Sequence, residues 1–159
     1  MIAKILVALD GSPRAAGVFD AAANVALRFS AVLCPFRAIF VPPEFPAAAA
    51  GSPRDFLFEH LSTAAIREVG LLTATRAPHL SVDAPIVRMG QPWRLILEVA
   101  DELDVDLIVL GSHAYHGLDR ILGTTAARVA NVANRNVLVV HERPGPALGP
   151  PIPSIPPYR

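Results

Sequence analysis

The sequence predicts an α/β domain on an open five-stranded parallel sheet with helices on both faces, and three observations lead to that reading. Five short stretches rich in Val, Ile and Leu are spaced along the chain. Segments whose apolar residues recur at three- and four-residue steps stand between them, as helices facing a core do. The strand-like stretches are apolar almost throughout instead of alternating, the pattern of strands covered on both sides. Crossovers between parallel strands are right-handed, which limits the topology to a doubly wound, Rossmann-like arrangement. A chain that starts mid-sheet, grows to one edge and returns to the other gives the strand order 3-2-1-4-5. Ligands in such sheets bind beyond the carboxyl ends of the strands flanking the switch point, here strands 1 and 4.

The elements follow in order. Ile2 to Leu9 is a compact apolar run that stops at Asp10-Gly11-Ser12-Pro13, a strand ending in a turn. Ser12 is suited to cap the next helix and Pro13 to its first turn. That helix spans Ala15 to Phe29, on the spacing of Val18, Phe19, Ala22, Val25, Ala26 and Phe29. Val32 to Val41 reads as strand 2. Because Pro35 cannot donate to a ladder, a bulge or a late start is expected there. Residues 42–53, rich in Pro and Ala, read as a surface loop before a helix over Phe56 to Ala74. Val82 to Val87 is a short third strand. Gly90-Gln91-Pro92 breaks the chain before a helix over Trp93 to Leu103. Val105 to Leu110 is strand 4, a helix covers Thr124 to Asn134, and Asn136 to Val140 is strand 5.

Composition narrows the function. The 159 residues, 52% hydrophobic and 18% charged, suffice for one core and argue against disorder. Fourteen basic and fourteen acidic residues balance to zero, so the chain lacks the positive field that draws proteins onto nucleic acid or anionic lipid. No apolar run approaches the ~20 residues of a membrane span, and Asp10-Gly11-Ser12-Pro13 interrupts the amino-terminal run too early for a signal peptide. The expectation is a cytoplasmic domain over residues 1–142. Seven prolines and two glycines between Pro144 and Pro157 mark residues 143–159 as an extended or disordered tail. Cys34, the single cysteine, reads as an inert buried thiol. His113 and His116 have no further ligands at metal spacing, and Trp93 reads as a packing residue. No Ser-His-Asp order, paired carboxylates or P-loop lysine motif marks a hydrolase.

Two places carry the chemistry. Gly111-Ser112-His113 ends strand 4, and Gly123-Thr124-Thr125 opens the last helix. The first turn of a helix has unpaired N–H groups and the positive end of the dipole, both favourable to phosphate. Glycine lets a phosphate come close, and two threonine hydroxyls add donors. A plain tight turn with a helix cap is the commoner arrangement, and the pattern alone leaves both readings open. Asp10, likewise, is either a turn-forming acid or a ligand contact.

Val7-Ala8-Leu9-Asp10-Gly11-Ser12, Gly90-Gln91-Pro92, Asp106 through His113, and Gly123-Thr124-Thr125-Ala126 before Asn136-Val137-Leu138-Val139-Val140 stand in an order that resembles the universal stress protein family over residues 1–141. The resemblance implies a fold related to the adenine nucleotide α-hydrolases and a site for ATP, with Mg²⁺ held by its phosphates. It places Asp10 near the ribose or a cation, and the backbone of Ala8 and Leu9 against adenine. Val41 becomes the apolar neighbour of the base, and Leu110 matches the apolar residue before the first glycine. Gly111, Gly123, Thr124 and Thr125 surround the phosphates. This chain departs from the family's ATP-binding pattern in two respects. Ala114 takes the second glycine's place, and eight residues instead of nine separate it from Gly123. The departure puts the path of the loop around the phosphates in doubt and keeps a non-nucleotide-binding interaction module as the alternative. The resemblance also implies a regulatory role with slow or no turnover, and a homodimer through the edge strand Asn136 to Val140.

Overall fold

A computed structural model describes residues 1–40, 53–112 and 123–141. Its elements are β1 (Lys4–Ala8), α1 (Ala15–Phe29), β2 (Val32–Ile39), α2 (Pro53–Arg76), β3 (Ile86–Met89), α3 (Pro92–Glu102), β4 (Leu107–Gly111), α4 (Thr124–Val132) and β5 (Asn136–Val140). All strand pairs are parallel and the order is β3-β2-β1-β4-β5, as the pattern predicts. Among the described residues, no helix is long and apolar enough to cross a membrane.

The two faces of the sheet explain the continuous apolar strands. Ile5, Val7, Leu33, Leu107 and Val109 pack beneath α1 and α2 with Val18, Phe19, Ala22, Ala26 and Val69. Leu6, Cys34, Phe36, Ile108 and Leu110 pack on the other side with Ile96, Val99 and Ala100 of α3 and Ala126 and Val129 of α4. Alternate residues of β1 and β4 thus enter opposite cores, so neither face can be polar. Each fully buried side chain of this size contributes ~1.5–3 kcal/mol relative to exposure.

Two expectations are corrected. Pro35 causes neither a bulge nor a late start: Val32 to Phe36 run in unbroken register against Lys4 to Ala8. The Leu33 N–H donates to the Ser81 carbonyl and the Leu33 carbonyl accepts from the Asp83 N–H, so odd-numbered β2 residues face β3. The missing donor of Pro35 therefore faces the gap between the isolated Leu33–Val82 bridge and the first β2–β3 pair, Phe36 with Ile86. That gap also shortens the third strand, which begins at Ile86 and not at Val82. The second correction concerns Ser12. The N-cap of α1 is Arg14, and Ser12 lies in the preceding turn, where its Oγ accepts from the Arg14 N–H at 3.2 Å. Helix limits shift by a few residues elsewhere, while α1 and β5 have the predicted bounds.

Residues 41–52 and 142–159, and with them nearly all of the expected loop and the whole of the expected tail, lie outside the described residues.

Candidate functional site

A cavity of about 260 Å³ opens beyond the carboxyl ends of β1 and β4. From β1 and its turn come Ala8, Leu9 and Asp10; from β4 come Leu110 and Gly111; from the start of α4 come Thr124 and Thr125. Seven of the nine residues singled out in the sequence therefore line one space. Gly123 adjoins it as the N-cap of α4. Val41 lies outside the described residues, as do Ala114, His113 and His116.

Parallel pairing explains the convergence. Ala8 is in register with Leu110, so β1 and β4 end side by side at the switch point. The Leu9 N–H still reaches the Phe36 carbonyl at 2.9 Å, which carries the sheet one residue further before the chain turns. Asp10 then shapes the turn. Its Oδ1 accepts from the Ser12 N–H at 3.1 Å and the Ser12 hydroxyl at 2.8 Å. Gly11 has φ +66°, the left-handed region open to glycine, and the Arg37 side chain rests where a Cβ would stand. Arg37 is in turn paired with Glu68 of α2.

The far wall is the amino end of α4. The first helical bond runs from the Ala127 N–H to the Gly123 carbonyl at 2.9 Å. The preceding N–H groups of Thr124, Thr125 and Ala126 have no partner within the helix. With the dipole behind them, these donors fit an anion. Gly123 has φ −59° and ψ 155°, values open to any residue, so nothing in its backbone demands glycine.

Several lining residues went unread in the sequence. Val18 of α1, Phe36 and Ala38 of β2, Pro92 and Ile96 of α3, and Ala126 of α4 complete the wall. They make it apolar toward β2 and α3 and polar toward Asp10 and α4. A base or other flat apolar group suits the first region and a sugar or phosphate the second. Trp93 does pack on the α3–α4 core as expected. It also carries the guanidinium groups of Arg94 and Arg128, each 5.4 Å from the ring centroid. Cys34 is buried, and its thiol donates to Asp83 Oδ2 at 3.3 Å. Burial first, then that carboxylate, pushes its pKa up to about 12.

Comparison with known proteins agrees with this architecture. The sequence profile of the universal stress protein family matches residues 1–141. Universal stress protein A homolog 1 of Coxiella burnetii is 34% identical over 143 residues, covering 86% of this chain and 94% of the relative. Universal stress protein UspA from Lactobacillus plantarum superposes with a TM-score of 0.63 at 28% identity, over 87% of this chain and 97% of that one. A universal stress protein solved in complex with cAMP superposes with a TM-score of 0.65 at 25% identity, over 88% and 97% of the two chains. With its sheet order, its switch-point cavity and a profile match from end to end of the folded core, the chain belongs to the universal stress protein family.

Proposed function

We propose that this chain binds an adenine nucleotide, ATP with Mg²⁺ carried on its phosphates, in the switch-point cavity and serves as a regulatory, stress-protective module. The observation that carries this is the convergence of Asp10, Gly111, Thr124 and Thr125 on one cavity with apolar walls. The base fits against Phe36, Ala38 and Ile96, the ribose beside Asp10, and the phosphates at the unpaired N–H groups of α4. The donor set suits the group: hydroxyls and N–H groups for phosphate oxygens, and one carboxylate within reach of a phosphate-held cation. The relative crystallised with cAMP supports the adenine class. Among the described lining residues Asp10 is the one charged side chain, and no histidine or cysteine accompanies it. Slow or no turnover belongs to this regulatory reading. Binding to the folded state alone adds ~2.7 kcal/mol of stability at a hundredfold excess over Kd, a route from nucleotide level to persistence or partner choice.

The second reading is a dimeric interaction module without nucleotide. It draws on Ala114 and the shortened spacing before Gly123. In either reading the chain pairs with a second copy through β5, which ends the sheet order and carries an apolar sequence.

Calorimetric titration with Mg-ATP of the wild type beside Gly123→Val separates the two. The φ of Gly123 tolerates valine, so the substitution obstructs phosphate approach without straining the backbone. Saturable binding that the variant loses supports the first reading. Two folded proteins that both fail to bind overturn the first reading and leave the second.

A further inference from the structure

Trp93, Arg94 and Arg128 form a cluster that the nucleotide cavity itself does not use. Both guanidinium groups lie 5.4 Å from the centroid of one indole, inside the ~6 Å reach of a cation–π contact. Arg37, Arg76, Arg88 and Arg135 each hold a carboxylate. Arg94 and Arg128 hold none among the described residues, and both are exposed. Two like charges on one ring repel each other, and an anion shared between them relieves that repulsion.

The cluster is carried by α3 and α4, whose amino-terminal residues border the cavity. Pro92 and Ile96, one residue before Trp93 and three after it, line the space. So do Thr124 and Thr125, four and three residues before Arg128 and hence on its side of α4. Helical side chains lean toward the amino end of their helix, which brings Arg128 over those threonines. The helices α3 and α4 pack together and hold the two halves of the cluster in place.

We infer that Arg94 and Arg128, braced on Trp93, are specificity-determining residues that take the outer phosphates of a bound nucleotide and make affinity rise with phosphate number. This rests on the nucleotide reading above and adds the ligand's charge state to it. Arginine suits the task, because its planar fork meets phosphate oxygens in pairs while its face stays on the indole.

The test titrates the full-length protein with AMP, ADP, ATP and inorganic tripolyphosphate, by calorimetry and by the fluorescence of Trp93, the single tryptophan. In the wild type ATP is expected to bind at least about tenfold more tightly than AMP, the yield of one charge-assisted contact weakened by solvent. Arg94→Gln and Arg128→Gln each lower that ratio, and the double variant brings it to about twofold or less, from the same loss of contacts. The double Lys variant restores most of it, which a purely packing role would not predict. Arg67→Gln, an equal charge loss on the exposed side of α2, leaves the ratio at its wild-type value. Equal affinity for AMP and ATP in the wild type, or a ratio that survives the double Gln variant, overturns the inference while the nucleotide reading stands. A wild type that binds no nucleotide overturns both. Tripolyphosphate binding without any nucleotide binding overturns the inference in favour of free polyphosphate.

Discussion

The Asp10 carboxylate holds Ser12 twice, accepting from its N–H at 3.1 Å and from its hydroxyl at 2.8 Å. One acid thereby closes the turn between the central strand and the first helix at the floor of the cavity. The Ser12 hydroxyl in turn accepts from the Arg14 N–H, which extends the lock to the helix start. Fold and site share this residue, and the two roles separate by substitution. Asp10→Asn keeps an acceptor oxygen but removes the charge. It is expected to unfold in urea within ~0.5 kcal/mol of the wild type, while Asp10→Ala costs about 1 kcal/mol, the yield of ordinary side-chain hydrogen bonds. If the carboxylate also faces a phosphate-held cation, both variants weaken Mg-ATP binding in calorimetry. Equal urea midpoints for Asp10→Ala and wild type would remove the turn-locking role.

At the opposite end of the sheet, Asp106 Oδ2 accepts from the backbone N–H groups of Ala3 at 2.7 Å and Lys4 at 3.0 Å. These bonds hold its carboxyl below the usual carboxylate range. The folded state therefore binds this proton less readily than the unfolded state, and stability rises with pH across the window between the two values. The contribution is complete above the ordinary aspartate value of ~3.9 and is lost as pH falls through the lower, folded one. Urea melts from pH 7 down to pH 2 should show Asp106→Asn less stable than wild type at pH 7, with the difference closing in acid. A pH-independent difference would refute the linkage.

Cys34 titrates with the opposite sign. Its thiol pKa is pushed up to about 12, chiefly by burial, so the folded chain keeps a proton that the unfolded chain releases. Stability should fall as pH rises above the ordinary thiol value of ~8.5, and Cys34→Ser should remove that alkaline loss. In the native state at pH 8 an aromatic disulfide reagent should modify Cys34 only at the rate of unfolding, and promptly in urea. Rapid native modification would contradict the burial.

The dimer proposal has a variant that spares the fold. Ser112 donates to the Val140 carbonyl, so even-numbered β5 residues face β4 and Val139 presents its backbone to the outer edge. Val139→Pro deletes an outward donor without removing a bond to β4, at a position where edge proline is tolerated. Light scattering should give twice the chain mass for the wild type and the chain mass for the variant. A wild-type monomer would end the proposal.

Legibility varied with how local the signal was. The limits of α1 and β5 were readable because each apolar pattern has punctuation at both ends: Pro13 and Ser30 for α1, Asn136 and His141 for β5. The third strand was misread because Val82 and Val87 flank Pro85, and apolarity alone does not tell a bridge from a ladder. The glycine, threonine and aspartate of the site announced themselves through turn and helix-start chemistry. Phe36, Ala38 and Ile96 did not, since a buried apolar residue looks the same in a sequence whether its neighbour is core or cavity.

By itself the sequence determined the order and kind of the elements, the strand order that right-handed crossovers permit, and the two strand ends where a ligand can sit. These follow from periodicity and turn chemistry, which act over a few residues. Only the tertiary structure decided which face of β2 meets β3, and so why Pro35 is harmless. It alone set Arg37 over Gly11, and brought Arg94 and Arg128 from different helices onto one indole. Those relationships depend on the pairing register and helix packing between distant segments, and no local pattern encodes the distance between two side chains that meet only when the sheet closes.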